Sequence, residues 1–418
     1  MFYKKNRMKS IGSIVKDLNL NKIGWPEMLV ALYPILSSYQ YGPVPFSVLV
    51  ILIVLVICMA KYNKLKSIES KHIKRLFLFF VLHEIALIFI LGSETPGFFV
   101  NFTISIIIYF IGIIFITPLL NWQKFVGSIN WVAIISLIGV IIQYIQVRNG
   151  QDVGMIKLPL LPESGLSRYH ELYPRPHSFF QEPVMYSQFM LIPLFLALIK
   201  KQYVWFGIMA LSVFMSSSTT GLVLVFVMLL VFMLQGKISI RVRAFILIMG
   251  GGLIYLLINT DFFSMTMEKF DRESNITSIE NVRLVQGPVI VSTMEASDYF
   301  FGAPYVNAYQ YCVKRSISPS LFVTYGRGND ATVYMTTFWQ LILRFGVIGL
   351  LLYLMVYISL LKYKELLPLS ICAIIIIYTA LFWFGAFYVF YVIFMYSYAY
   401  KNKIVMNENG NNYLGKIQ

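Results

Sequence analysis

Residues 175–199 read RPHSFFQEPVMYSQFMLIPLFLALI, and the break at Glu182-Pro183 decides how the chain is read. Before the break stand an arginine, a histidine and a glutamate among prolines. After it no charge occurs until Lys200-Lys201. A helix from Pro183 to Ile199 would rise about 26 Å, close to the ~30 Å of a bilayer's hydrocarbon core. A proline in the first turn costs such a helix little, because its missing N–H has no intrahelical partner there. The stretch therefore reads as a membrane span with polar groups at each boundary.

The rest of the chain repeats that pattern. Of 418 residues, 58% are hydrophobic, 16% aromatic and only 13% charged, and the mean hydropathy is +0.72. This composition belongs to polytopic membrane proteins. Apolar runs fall near 26–42, 44–60, 76–92, 98–120, 125–146, 183–199, 203–216, 219–235, 244–259, 337–360, 366–382 and 384–399. The expected fold is an all-α polytopic membrane protein, a single integral domain over 1–418 with about twelve transmembrane helices.

Charge sets the expected orientation, since Lys and Arg gather in cytoplasmic loops. Of 34 basic residues, 23 lie in the N-terminal 25 residues, the 61–75 loop, every second loop after that, and the tail. Both termini are thus expected in the cytoplasm. The net charge of +15 is a topology signal, and a nucleic-acid partner has no support. No cleavable signal peptide is evident. Residues 8–20 suit either a surface-lying helix or a basic tail. Cys58 and Cys372 lie in apolar runs and Cys312 faces outward, so no intramolecular disulfide is expected.

Two outward connections, 147–182 and 260–336, are 36 and 77 residues long. Loops of that length are usually functional or disordered, and their Pro, Tyr, Phe and aliphatic content favours a folded extracytoplasmic layer. Thr277-Ser-Ile-Glu280 is a capping-box pattern, so the following Asn281–Gln286 reads as a short helix presenting Arg283.

Arg175, His177 and Glu182 fall at the outer membrane boundary, where Arg283, Arg327 and Asp330 can join them. Arginine pairs bidentately with phosphate oxygens, so this set suits a lipid-linked diphosphate. Each residue also has a plainer use: an arginine anchors to headgroups, His177 packs structurally, and Glu182 complements a helix dipole. Arg327 sits between two glycines that allow close backbone approach. Within the apolar runs, His83-Glu84 and Arg344 are the ionisable groups that stand out. Arg344 can reach the phosphate zone from its outer half-span, whereas His83-Glu84 reads first as a buried interhelical pair. No Walker A sequence, metal-ligand spacing or Gly-x-Ser-x-Gly elbow occurs, so neither cofactor nor metal is expected.

Four segments carry a family resemblance: 175–199 as quoted, SSSTTGLVLVFVMLLVFML at 216–234, NVRLVQGPVIVSTMEASDYFFG at 281–302 and WQLILRFGVIGLLLYL at 339–354. In this order, with the long outer loops between them, they resemble Wzy-type repeat-unit polymerases of O-antigen and capsule, which are similar to the O-antigen ligases. The resemblance implies a bacterial inner-membrane enzyme that passes a growing glycan from undecaprenyl diphosphate to another lipid-linked repeat unit. A chain-length regulator, a flippase and membrane lipids are its implied partners. It assigns Arg175, Arg283 and Arg327 to the diphosphate, with Arg344 beside them. Where the ligases carry a His-Asn pair, this chain has Met335-Thr336, which counts against ligase activity. That departure leaves the general base to be ranked on chemistry: Glu182 first, then His177 and Asp330, because a carboxylate at a drying boundary has its pKa raised. The competing class is a lipid-linked oligosaccharide flippase.

Overall fold

The structure is a computed structural model. It describes residues 23–41, 44–61, 67–68, 70–92, 97–162, 175–235, 251, 282–305, 308–318, 324–325, 332–333, 335–380 and 384–414. Among these the chain is mostly helical, with strand confined to two short hairpins.

In chain order the elements are α1 (Trp25–Leu36), the antiparallel pair β1 (Gln40–Tyr41) and β2 (Val44–Pro45), α2 (Phe46–Lys61), α3 (Lys71–Leu91), α4 (Gly97–Ile116) and α5 (Trp122–Arg148). Next come α6 (Pro183–Ile199), α7 (Tyr203–Met215) and α8 (Thr219–Leu234). The short helices α9 (Val282–Val291), α10 (Ala296–Phe301) and α11 (Ala308–Lys314) precede the antiparallel pair β3 (Thr324–Tyr325) and β4 (Thr332–Val333). The chain then closes with α12 (Thr337–Ile358), α13 (Leu367–Thr379) and α14 (Ala386–Leu414).

Eleven of the twelve apolar runs coincide with a helix. The run at 244–259 lies outside the described residues apart from 251, as do residues 8–20 and the capping box at 277–280. Among the described residues, three helices, at Phe99–Ile116, Trp122–Arg148 and Thr337–Ile358, are long and apolar enough to cross a membrane, and six shorter apolar helices accompany them.

The bundle is built around α6 and α14. A helix that is apolar on all sides must be buried on all sides, and α6 is buried continuously from Tyr186 to Leu198. Phe189 of α6 stacks on Phe390 of α14 at 5.7 Å, and the Tyr391 hydroxyl donates to the Gln188 carbonyl. On α8 the Ser218 hydroxyl caps the first turn by accepting from Gly221 N at 3.2 Å. A side chain at Gly221 would meet Ser187 of α6, so the small residues of the 216–234 segment permit a close helix crossing.

The outer helices turn apolar stripes outward. Leu78, Leu82, Ile85 and Phe89 of α3, and Ile135, Ile138, Ile142 and Ile145 of α5, recur at helical spacing and are exposed. A water-facing helix would place polar groups there. Such a surface suits lipid.

Candidate functional site

The turn ahead of α6 is fixed by one side chain. Gln143, buried on α5, accepts from the backbone N–H of His177 at 2.8 Å and of Ser178 at 2.6 Å. Its amide nitrogen donates to the Gly154 carbonyl at 2.7 Å. Ser178 adopts a positive φ of 54°, and its carbonyl accepts from Ile156 N at 2.8 Å. A side chain at Gly139 would strike Ser178, so this glycine lets the turn lie against α5. Phe180 anchors the other flank among Tyr186, Phe189 and Phe387.

His177 is 7% exposed, and its Nδ1 lies 2.6 Å from the Arg175 carbonyl. A carbonyl only accepts, so Nδ1 must carry the proton. In the neutral ring Nε2 is then the basic nitrogen. Glu182 occupies the N-cap of α6, but its side chain makes no capping hydrogen bond. It is half-buried, as is Arg175.

A second polar centre lies inside the bundle. Glu84 of α3 is buried, and both of its carboxylate oxygens accept from one guanidinium nitrogen of Arg344 on α12, at 3.1 and 2.9 Å. The Thr103 hydroxyl of α4 donates to the same carboxylate at 2.9 Å. His83 Nδ1 stands 3.5 Å away without hydrogen-bond geometry. The rings of Phe99, Phe102 and Phe345 surround the guanidinium at 5.1, 5.0 and 5.5 Å. Charge pairing and cation–π contact together account for a cation in this apolar setting. The interhelical partners of Glu84 are thus Arg344 and Thr103, with His83 beside it on the same helix.

The segments 282–302 and 339–354 pack against one another. Gly346 breaks α12 with φ 66° and ψ −176°, and the Leu343 carbonyl accepts from Ala303 N at 2.7 Å. A side chain at Gly302 would strike the Arg344 carbonyl, and one at Gly346 the Phe300 carbonyl. Both glycines have positive φ, at 93° and 66°, so each serves conformation and close approach together. Above this contact, Arg315 pairs with Glu295 at 2.8 Å and Asp298 at 3.2 Å. Cys312 is fully buried in a small cluster with Ile290, Ala303, Tyr311, Val333, Met335 and Leu343. It faces inward within the loop layer.

Arg175, His177 and Glu182 therefore share one turn, while Arg344 belongs with Glu84. Arg283 lies on α9 with its side chain outside the described residues. Arg327 and Asp330 lie wholly outside them, between β3 and β4. Gln143 was missed in the sequence reading; its signal is a lone amide in the apolar run LIGVIIQYI. Among the described residues no group of three or more His, Cys, Asp or Glu is placed to hold a metal. No protein-family model matches the chain, and no curated protein matches it.

Proposed function

We propose that the chain is a repeat-unit polymerase that extends a glycan carried on undecaprenyl diphosphate, working at the extracytoplasmic face of a bacterial inner membrane. One observation carries the reading: Arg175, His177 and Glu182 are held on a turn pinned by Gln143. That turn stands at the opposite end of α6 from Lys200-Lys201, about 26 Å away at 1.5 Å per residue. A site rich in cation and base, fixed at a membrane boundary, suits a donor whose diphosphate sits at headgroup level.

In the proposed reaction an acceptor sugar hydroxyl attacks the anomeric carbon of the donor glycan. The bond from that carbon to the diphosphate oxygen breaks, and undecaprenyl diphosphate departs with both electrons. Arg175, with Arg283 and Arg327, offsets the charge on the leaving group. The acceptor proton goes to a base. The Nδ1–H tautomer places His177 level with Glu182 for that role, with Asp330 behind them. Arg344, committed to Glu84, supports the bundle beneath.

Arg175→Ala is expected to abolish polymer while leaving the protein in the membrane. Arg175→Lys is expected to recover little, because lysine lacks the bidentate fork. Reconstitution with preformed lipid-linked repeat units tests the class. A polymerase yields a ladder of lengthening products, a flippase moves substrate without changing its size, and near-normal polymer from Arg175→Ala would reduce this arginine to a headgroup anchor.

A further inference from the structure

The Glu84–Arg344 pair provides a depth gauge. Glu84 is seven residues from the end of α3, Arg344 seven from the start of α12, and Thr103 six from the start of α4. Three helices thus agree on a depth of about 10 Å below their ends on the side of the 260–336 connection. α12 is one of the helices able to cross a membrane, so this level falls within hydrocarbon.

The segment 296–303 reaches that level. Gly302 lies against the Arg344 carbonyl, Phe300 against Gly346, and Ala303 N donates to the Leu343 carbonyl. Loop backbone at membrane depth is tolerated only where its polar groups are satisfied. Here Tyr299 N donates to Glu295 O, Gly302 N to Asp298 O and Tyr305 N to Ala303 O. The segment is also graded along its length. Glu295 and Asp298 at its polar end pair with Arg315, whereas Tyr299, Phe300 and Phe301 at its deep end are 40%, 52% and 63% exposed. On α3 and α4, the exposed residues Leu82, Ile85 and Ile104 lie within about one turn of the same depth and are likewise apolar.

We propose that residues 296–303 form a re-entrant hairpin whose aromatic tip, Tyr299-Phe300-Phe301, lies among lipid acyl chains of the leaflet next to that loop. Exposed aromatic side chains at an apolar depth, on a segment whose one charge, Asp298, is paired with Arg315, fit a lipid surface and no aqueous partner. This rests on the contact with α12 and is independent of the proposed enzymatic activity.

The test is site-directed spin labelling of the full chain in phosphatidylcholine–phosphatidylglycerol vesicles. The buried Cys58, Cys312 and Cys372 are replaced by alanine, and a nitroxide is placed at Phe301→Cys, Leu82→Cys or Glu295→Cys. Relaxation by oxygen, which partitions into hydrocarbon, is compared with relaxation by a water-soluble nickel chelate. The label at 301 should resemble that at 82, with an oxygen-to-nickel ratio several-fold above that at 295. A nickel response at 301 equal to that at 295 would place the tip in water and overturn the proposal. So would inaccessibility to both probes, which would mean that another protein surface covers the tip. Should Phe301→Cys fail to yield folded protein, Tyr299→Cys reads the same outcomes.

Discussion

The two long connections are attached to the bundle in different ways. The described part of the first, ending at Glu182, has little core of its own. It is held by backbone hydrogen bonds to Gln143, by Leu158 N donating to the Tyr39 hydroxyl and Gln40 N to the Pro162 carbonyl, and by the buried side chains of Met155, His177 and Phe180. The second carries its own small core around Tyr311 and Cys312 and docks backbone to backbone on the kink of α12. Arg344, paired with Glu84, stands two residues before that kink. The first connection is thus positioned by a neutral amide that serves main-chain groups, the second by packing above a charged pair. The Gln143 hook bonds main-chain groups of its turn, whereas Arg344 commits its charge to Glu84 in tying α12 to α3.

The largest effect should come from breaking the pair beneath the second connection. Removing one member of a buried ion pair strands the other and costs about 3–5 kcal/mol. Glu84→Ala and Arg344→Ala should each sharply lower the thermal midpoint in detergent. Glu84→Leu combined with Arg344→Met should recover most of the loss, because no uncompensated charge remains. A stable Arg344→Ala protein that had lost polymer synthesis would break the comparison, returning Arg344 to substrate binding.

A more local effect is expected at the first connection. Gln143→Leu leaves two buried N–H groups, those of His177 and Ser178, without their acceptor, at about 1–3 kcal/mol each. Amide exchange across 177–182 should accelerate while exchange in α3 and α12 stays unchanged. Activity should fall further than global stability, since the turn loses position before the bundle loses packing. Uniform acceleration throughout the chain would show that the turn is part of the bundle's core and that the two connections do not differ in kind.

How much of this was legible in the sequence follows from what hydropathy measures. Apolar runs located eleven helices because burial in lipid and burial in protein select the same residues. Boundaries slipped where polar residues belong to helices. α3 starts at Lys71, behind a Ser70 cap that accepts from Ile73 N, although the apolar run begins only near 76. α1 stops at Leu36, ahead of the β1–β2 hairpin, where apolarity alone suggested continuation to 42. The charged residues of the turn at 175–182 and of the buried pair stood out by type. Their partners did not, because the 260-residue separation of Glu84 from Arg344 and the service of Gln143 to main-chain groups are products of the fold. Gly302 and Gly346 were visible as glycines within the resembling segments, but their reciprocal contact exists only between two separated backbones.

The smallest expected effect probes whether the second connection truly owns a core. Cys312, which the sequence assigns to the second outward connection, is fully buried there, and burial pushes its thiol up to about 11. The thiolate is the reactive species and an ordinary cysteine titrates near 8.5, so at pH 8 the thiolate population should be lower by a factor on the order of 10². The sign follows for stability as well. The folded layer favours the neutral thiol, so its stability is unaffected below about pH 8.5 and declines as pH rises towards 11, by about 1.4 kcal/mol per pH unit at most. Alkylation of Cys312 by a small maleimide, followed from pH 7 to 9, should therefore run on the order of 10²-fold or more slower than at an exposed Glu295→Cys, and should keep rising across the range. Reaction at the exposed rate would mean that the α9–α11 layer opens freely. The second connection would then be held only at its contact with α12, much as the first is held at Gln143.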